Sequence, residues 1–195
     1  MRIVAGRHKG RTLAAPKGRK TRPTAARARE GLFNILAHGR LGPDQGSAIT
    51  GASVLEAFAG SGALAFEALS RGAARATLLD LDALAVDTAR DNAAMLGEKA
   101  RTRIRRMDAT RPRRAAEAHD LIFLDPPYGS KLGTKALKAL AAKGWIAPGA
   151  LVVVEVAAGE DFEAPAGFAP VTERGFGAAR FVLLRYRADE PQARV

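Results

Sequence analysis

Cysteine is absent from all 195 residues. That excludes disulfide staples and thiolate metal sites, and it is the composition expected of a reducing, cytosolic compartment. Histidine is scarce: His8, His38 and His119 are scattered without ligand spacing, so no metal site is expected. No apolar run approaches the roughly 18 residues of a membrane span, and the amino terminus lacks the apolar core of a signal peptide. A membrane or secretory role is therefore not expected. Acid is nearly missing from the first 40 residues, where Glu30 stands alone against eleven Lys or Arg.

That imbalance accounts for +10 of the formal net charge of +11 and leaves residues 41–195 close to neutral. A near-neutral globule with a basic front end suits a polyanionic partner, nucleic acid above all. A solvated cationic tail is the plain alternative, but apolar residues are interleaved with the charges rather than excluded. The length allows one ordinary domain with a small appendage, and a hydrophobic content of 47% suffices for a proper core. The expected organisation is a basic extension over 1–40, a linker over 41–52, a main domain over 53–187 and a tail over 188–195.

Within the extension, residues 2–13 read as two short strands around a Gly-containing turn, with Ile3, Val4, Thr12 and Leu13 as strand formers. A Pro- and Lys-rich loop follows, and Thr24 is placed to cap a helix reaching about His38. Ala28, Leu32, Ile35 and Leu36 fall on one face of that helix at helical spacing. Arg7, Lys9, Arg11, Arg22, Arg27 and Arg29 are the candidates for phosphate contacts. Removing residues 1–20 is expected to weaken such contacts and flatten their salt dependence.

From residue 53 onward, strand and helix signals alternate. Strands are expected at 53–58, 76–79, 102–106, 121–124 and 150–156, with helices at 62–71, 83–96 and 131–142 and a short one at 110–117. Two final strands, near 168–173 and 180–187, are joined by Gly175-Phe176-Gly177 without a helix between them, so at least one should run antiparallel. The pattern implies an α/β fold with a mainly parallel sheet flanked by helices. Internal repeats are absent.

The turn Gly60-x-Gly62-x-x-Ala65, after a strand and before a helix, is compatible with a dinucleotide site, and Asp80 and Asp82 lie about 20 residues on as a ribose-binding acid should. Glu56 argues against a pyrophosphate, because a carboxylate beside the turn would repel it. The same carboxylate suits the ammonium of an aminoacyl ligand. S-adenosylmethionine carries an amine and a sulfonium but no phosphate, so Glu56, Phe58, Gly60, Gly62, Asp80 and Asp108 are the candidate cofactor residues. Asp80 would take the ribose hydroxyls, and Asp108 the adenine amine or nearby loop atoms. A helix cap is the simpler reading of Asp80, and a tight packed turn that of the glycines.

The candidate catalytic stretch is Asp125-Pro126-Pro127-Tyr128. It follows Leu121-Ile122-Phe123-Leu124, an apolar run suited to a strand buried on both faces. Two prolines fix successive φ angles and remove two N–H donors, so the Asp125 carboxylate and nearby carbonyls form an acceptor-rich rim. Such a rim would hold a primary amine, and Tyr128 would stack on a base. A Pro-rich turn bearing a surface tyrosine is the simpler alternative.

Arg22-Pro23-Thr24 with Arg27, Arg29, Glu30 and Phe33-Asn34-Ile35-Leu36, then Phe58-Ala59-Gly60-Ser61-Gly62-Ala63-Leu64 with Glu67-Ala68-Leu69-Ser70-Arg71-Gly72, then Asp125-Pro126-Pro127-Tyr128, resemble the bacterial RsmD-type 16S ribosomal RNA guanine-N2 methyltransferases. The likeness runs from Arg2 to about Tyr186. It implies a Rossmann-like, seven-stranded S-adenosylmethionine-dependent methyltransferase sheet. It also implies methylation of one guanine N2 in small-subunit ribosomal RNA or a small-subunit particle, with no protein partner expected. By the same resemblance, Asp125 to Tyr128 match the amine-methylating tetrapeptide, Gly60 and Gly62 the cofactor turn, and Asp80 the ribose-contacting acid. Ala26 departs from the pattern, since family members usually carry Asp there. Three other readings compete: an amino-methyltransferase for adenine or cytosine in DNA, a non-catalytic RNA-binding assembly factor, and a nicotinamide oxidoreductase. The first lacks room for a target-recognition domain, and the last gives the Pro-Pro tip no purpose.

Overall fold

The computed structural model describes residues 1–15 and 23–188, with the backbone alone for 23–26. Its chain order is α1 (Pro23–His38), β1 (Ser53–Ala57), α2 (Ala63–Ser70), β2 (Arg75–Asp80), α3 (Ala83–Leu96), β3 (Thr102–Arg106), β4 (His119–Leu124), α4 (Leu132–Ala142), β5 (Ile146–Ala157), β6 (Phe168–Phe176) and β7 (Ala179–Tyr186). The strands form one sheet in the order β3-β2-β1-β4-β5-β7-β6. The first five pair in parallel, and β7 runs antiparallel to both β5 and β6.

Sequence and sheet position agree. β1 is buried along its whole length and β4 over its last four residues, as apolar runs at the centre of a parallel sheet should be. β3 and β6 carry charge and alternate exposed residues, which suits strands with only one neighbour. One apolar layer, with Val54, Phe66, Leu78, Phe123 and Val153, faces α1, α2 and α3. The other, with Leu55, Ile122, Val152 and Leu184, lies beneath α4, whose Leu137 packs into it.

The basic extension belongs to the first of these layers. Ile3, Leu13, Leu32, Phe33 and Leu36 are all buried in it. The expected hairpin over 2–13 is one antiparallel bridge, Arg2 to Thr12, closed by hydrogen bonds between Ile3 and Arg11 and between Leu13 and Met1. Other backbone donors of the loop turn to the domain: Val4 and Ala5 N–H donate to the buried Glu67 carboxylate at 2.8 and 3.1 Å, and Arg7 N–H to the Ser70 carbonyl. The expected linker over 41–52 is also packed, with Ile49 buried and Ala48 N–H donating to the Leu36 carbonyl.

The expected helix over 110–117 does not form. Pro112 withdraws a donor from its middle, the Asp108 side chain captures Thr110, and Ala115 N–H donates outward to the Lys143 carbonyl. β5 begins four residues earlier than expected, where Ile146 pairs with His119. His119 itself is a satisfied core residue, stacked on Trp145 and hydrogen-bonded to Thr77 Oγ1 at 3.0 Å.

Candidate functional site

The site is set by register. Ala57 pairs with Leu79 on one side and with Leu124 on the other, so Asp80, Phe58 and Asp125 follow at the carboxyl ends of three adjacent strands. Two strand spacings separate the outer pair, about 10 Å. Asp80 pairs in turn with Arg106, and Asp108 lies two residues beyond. Four strand ends thus deliver the predicted acids and the proline tip to one edge, where open α/β sheets bind ligands.

The turn after β1 has a backbone that side chains resist. Phe58 takes φ +60°, Gly60 +55° and Gly62 +78°. A Cβ on Gly62 would stand 2.5 Å from the Leu78 side chain, so α2 approaches β2 closely only because none is there. Gly60 N–H donates to Asp80 Oδ2 at 2.7 Å, and Asp82 N–H to Asp80 Oδ1 at 2.9 Å. Asp80 therefore clasps the glycine turn, while Asp82 caps α3 through Leu84 N–H.

Glu56 lies beneath the turn, 3% exposed. It accepts from Ala65 N–H at 2.8 Å and Leu64 N–H at 3.3 Å, the unpaired donors of the first turn of α2. Burial drives its pKa up to about 8 against those two hydrogen bonds, and the charges of Asp125 and Asp80 add to the rise. This placement differs from the expected grip on a ligand ammonium: both oxygens serve the helix, and burial favours the neutral carboxyl. At the edge above, the strand ends bring Asp80, Asp108 and Asp125 around the glycine turn. A cationic ligand fits that field, and a pyrophosphate does not. Asp108 folds one oxygen back on Thr110, accepting from its N–H and Oγ1, and the Thr110 hydroxyl, against a smaller opposing effect of burial, holds the pKa of Asp108 down.

At the tip, Pro126 is buried, while Asp125, Pro127 and Tyr128 are exposed. Two acids that the sequence reading did not single out hold this loop. Tyr128 Oη donates to Glu155 on β5 at 2.7 Å, and Gly129 N–H donates to Glu160 at 3.0 Å. Asn92 was also missed. Buried on α3, it donates to the Ser61 carbonyl of the glycine turn and to the Ala14 carbonyl, and accepts from Ala14 N–H. A lone polar side chain among Ala85, Val86, Ala89, Ala93 and Leu96 was the available signal.

Among the described residues, the predicted phosphate ligands take different partners. Arg7 pairs with the buried Glu98, and Arg11 donates to the Met95 carbonyl. Arg29 is 5% exposed and donates to the Arg2 carbonyl at 2.7 Å. Burial lowers its pKa, and its place inside the fold corrects the expectation of a phosphate contact. Lys9 and Arg27 are exposed, and Arg22 lies outside the described residues.

Residues 1–185 match the family model described as "Conserved hypothetical protein 95". The chain belongs to this family. Among its relatives, the Ribosomal RNA small subunit methyltransferase D of Haemophilus influenzae is 32% identical over 94% of this chain and 92% of its own length. The protein of the same name from Escherichia coli K12 is 37% identical over 80% of this chain and 74% of its own. The solved structure of yhhF from Escherichia coli superposes with a TM-score of 0.78 at 34% identity, covering 97% of this chain and 99% of the other. The resemblance to RsmD-type enzymes, and the seven-stranded methyltransferase fold it implied, are thereby borne out. The match begins at residue 1, so the docked amino-terminal loop is part of the family's shared frame.

Proposed function

We propose that the protein transfers a methyl group from S-adenosylmethionine to the exocyclic N2 amine of a guanine in 16S ribosomal RNA. The observation that carries this reading is the parallel register that seats Asp125 beside Phe58 and the glycine turn. It joins an amine-accepting rim to an acid-lined cradle that suits a cation. Relatives named as ribosomal RNA small subunit methyltransferases support the substrate class.

S-adenosylmethionine supplies an electrophilic methyl group on a sulfonium. Gly60 and Gly62 would border it, Asp80 would accept from the ribose hydroxyls with lone pairs that Gly60 and Asp82 N–H leave over, and Asp108 would take the adenine amine or nearby loop atoms. Glu56 holds α2 and the turn in position through the Ala65 and Leu64 N–H groups. Asp125 and the Pro126 carbonyl accept from the guanine amine, which fixes the nitrogen and directs its lone pair toward the glycine turn. Tyr128 stacks on the base, a contact worth roughly 1–3 kcal/mol. As the amine gains positive charge, the Asp125 carboxylate stabilises it and provides an acceptor for the departing proton. Positioning supplies much of the remainder.

No helix among the described residues is long and apolar enough to cross a membrane. We place the protein in the bacterial cytoplasm, acting on the RNA or an assembling small subunit without a further protein partner. Incubation with S-adenosylmethionine and 16S RNA or small-subunit particles, followed by nucleoside mass analysis, should yield N2-methylguanosine. Asp125→Ala should abolish it in single turnover while cofactor still binds by calorimetry. Methylated adenine or cytosine on duplex DNA, with none on RNA, would assign the tetrapeptide to the rival substrate.

A further inference from the structure

The body beyond residue 40 is neutral only as a sum. Residues 99–143 carry +8, offset by −7 elsewhere in that body. Between Arg101 and Arg114 there are seven arginines and a single acid, Asp108. Folding divides these arginines into two groups.

Arg101 pairs with Glu98, Arg103 with Glu117, and Arg106 donates to the Leu81 carbonyl. Arg105, Arg111, Arg113 and Arg114 are exposed, and none forms an ion pair within 4 Å among the described residues, although the charge of Arg111 reaches Asp108. Ile104 packs into the layer under α2 and α3, so Arg103 and Arg105 project from the opposite face of the edge strand. The crossover after β3 extends that charge over the same face. Its backbone is fixed: Trp145 Nε1 donates to the Arg113 carbonyl at 2.8 Å, Ala115 N–H donates to the Lys143 carbonyl, and Pro112 is buried.

Charge on an edge strand also prevents sheets from joining edge to edge. That role accounts for Arg105 at most. Arg111, Arg113 and Arg114 stand on the crossover, where no strand edge needs protection. A fixed backbone under unpaired guanidinium groups is preorganised for phosphates, which arginine binds in a bidentate manner. Exposed aromatic rings are absent from residues 99–118, so bases have nothing there to stack on. The upper end of the ridge adjoins the site, since Arg106 pairs with Asp80 and Arg111 N–H donates to the Asp108 carbonyl.

We propose that Arg105, Arg111, Arg113 and Arg114 form a second RNA-binding surface. It takes the phosphate backbone of a helical RNA segment flanking the target base and reads charge and shape rather than sequence. The proposal rests on the RNA reading above, and it assigns the body of the domain a share in substrate binding that the amino-terminal extension alone was expected to carry.

The test is the triple variant Arg105→Gln, Arg113→Gln, Arg114→Gln, which spares the residues nearest Asp108. Binding of a 16S RNA fragment containing duplex is titrated against salt for the full chain and the variant. Each lost phosphate contact should reduce the log–log slope by about 0.7–0.9, and affinity at 0.1 M salt should fall on the order of tenfold to a hundredfold. The turnover rate at saturating RNA, and cofactor affinity, should not change. A control with Arg90→Gln and Arg174→Gln lowers net charge away from the ridge and should alter the slope little. An unchanged slope in a triple variant with native circular dichroism overturns the proposal, as does an equal loss in the control. A wild-type chain that binds RNA with a steep slope yet methylates no guanine would refute the proposed reaction and leave the ridge standing.

Discussion

The Tyr128 hydroxyl donates to Glu155 Oε1 at 2.7 Å, joining the tip that follows β4 to the neighbouring strand β5. Glu160 accepts from Gly129 in the same loop. The tip is therefore held at its aromatic ring and at its backbone, so the ring is positioned before any base arrives. Tyr128→Phe removes only the hydroxyl, and single-turnover methylation of 16S RNA should slow several-fold with RNA affinity nearly unchanged. Tyr128→Ala also removes the stacking surface and should cost roughly 1–3 kcal/mol in RNA-dependent rate. Equal rates for Phe and wild type would dismiss the tether.

Glu56 predicts a dependence on alkaline pH. Its folded pKa, pushed up by burial to about 8, lies above the ordinary 4.5, so its contribution to stability is fully present below 4.5 and is lost as pH rises through 8. Thermal melting between pH 5 and 9 should show wild type losing stability relative to Glu56→Gln across that range, with the difference level above about pH 8. A constant difference would show that the carboxyl does not titrate there.

Glu98 predicts the opposite end of the scale. Its side chain is almost fully buried, and that burial alone would raise its pKa. Hydrogen bonds and charge from Arg101, His8 and Arg7 outweigh it and bring the value down to about 2. The stabilising contribution is therefore present above 4.5 and lost as pH falls through 2. Because its partners are partly exposed, Glu98→Ala should cost about 2–3 kcal/mol in urea unfolding at pH 7, the low side of a broken buried pair. The deficit should shrink toward pH 2.

Gly62→Ala tests the cradle. The added methyl meets Leu78 and Phe66 in a backbone with positive φ, so α2 must move away from β2. Cofactor affinity by calorimetry should fall at least tenfold, a change of about 1.4 kcal/mol. Unaltered affinity would place the ligand elsewhere.

Most of the architecture was legible because its signals are local. Apolar runs such as 121–124 marked the central strands, and the glycine turn and proline tip marked the site. Misreadings arose where distant partners decide. The amino-terminal loop reads as a small basic hairpin, because nothing near Ile3 or Leu13 shows that they will join the core with α2 and α3. Removing residues 1–20 would thus open the core as well as remove charge. Summing charge over residues 41–195 concealed the arginines of 101–114. Glu56 was read as a ligand contact because its covalent neighbours do not reveal that α2 returns its first N–H groups to it.

Gly31, midway along α1, is the point where Phe176 at the end of β6 enters: a Cβ there would lie 2.3 Å from the ring. β7 must insert between β5 and β6 before β6 has a place in the sheet. During synthesis, then, the Phe33 side of α1 can be covered once Phe123 on β4 has emerged, whereas the contact at Gly31 waits for the chain beyond β7. Contacts of such long sequence separation form slowly. The contact of Phe176 with α1 is consequently among the last of the core to close.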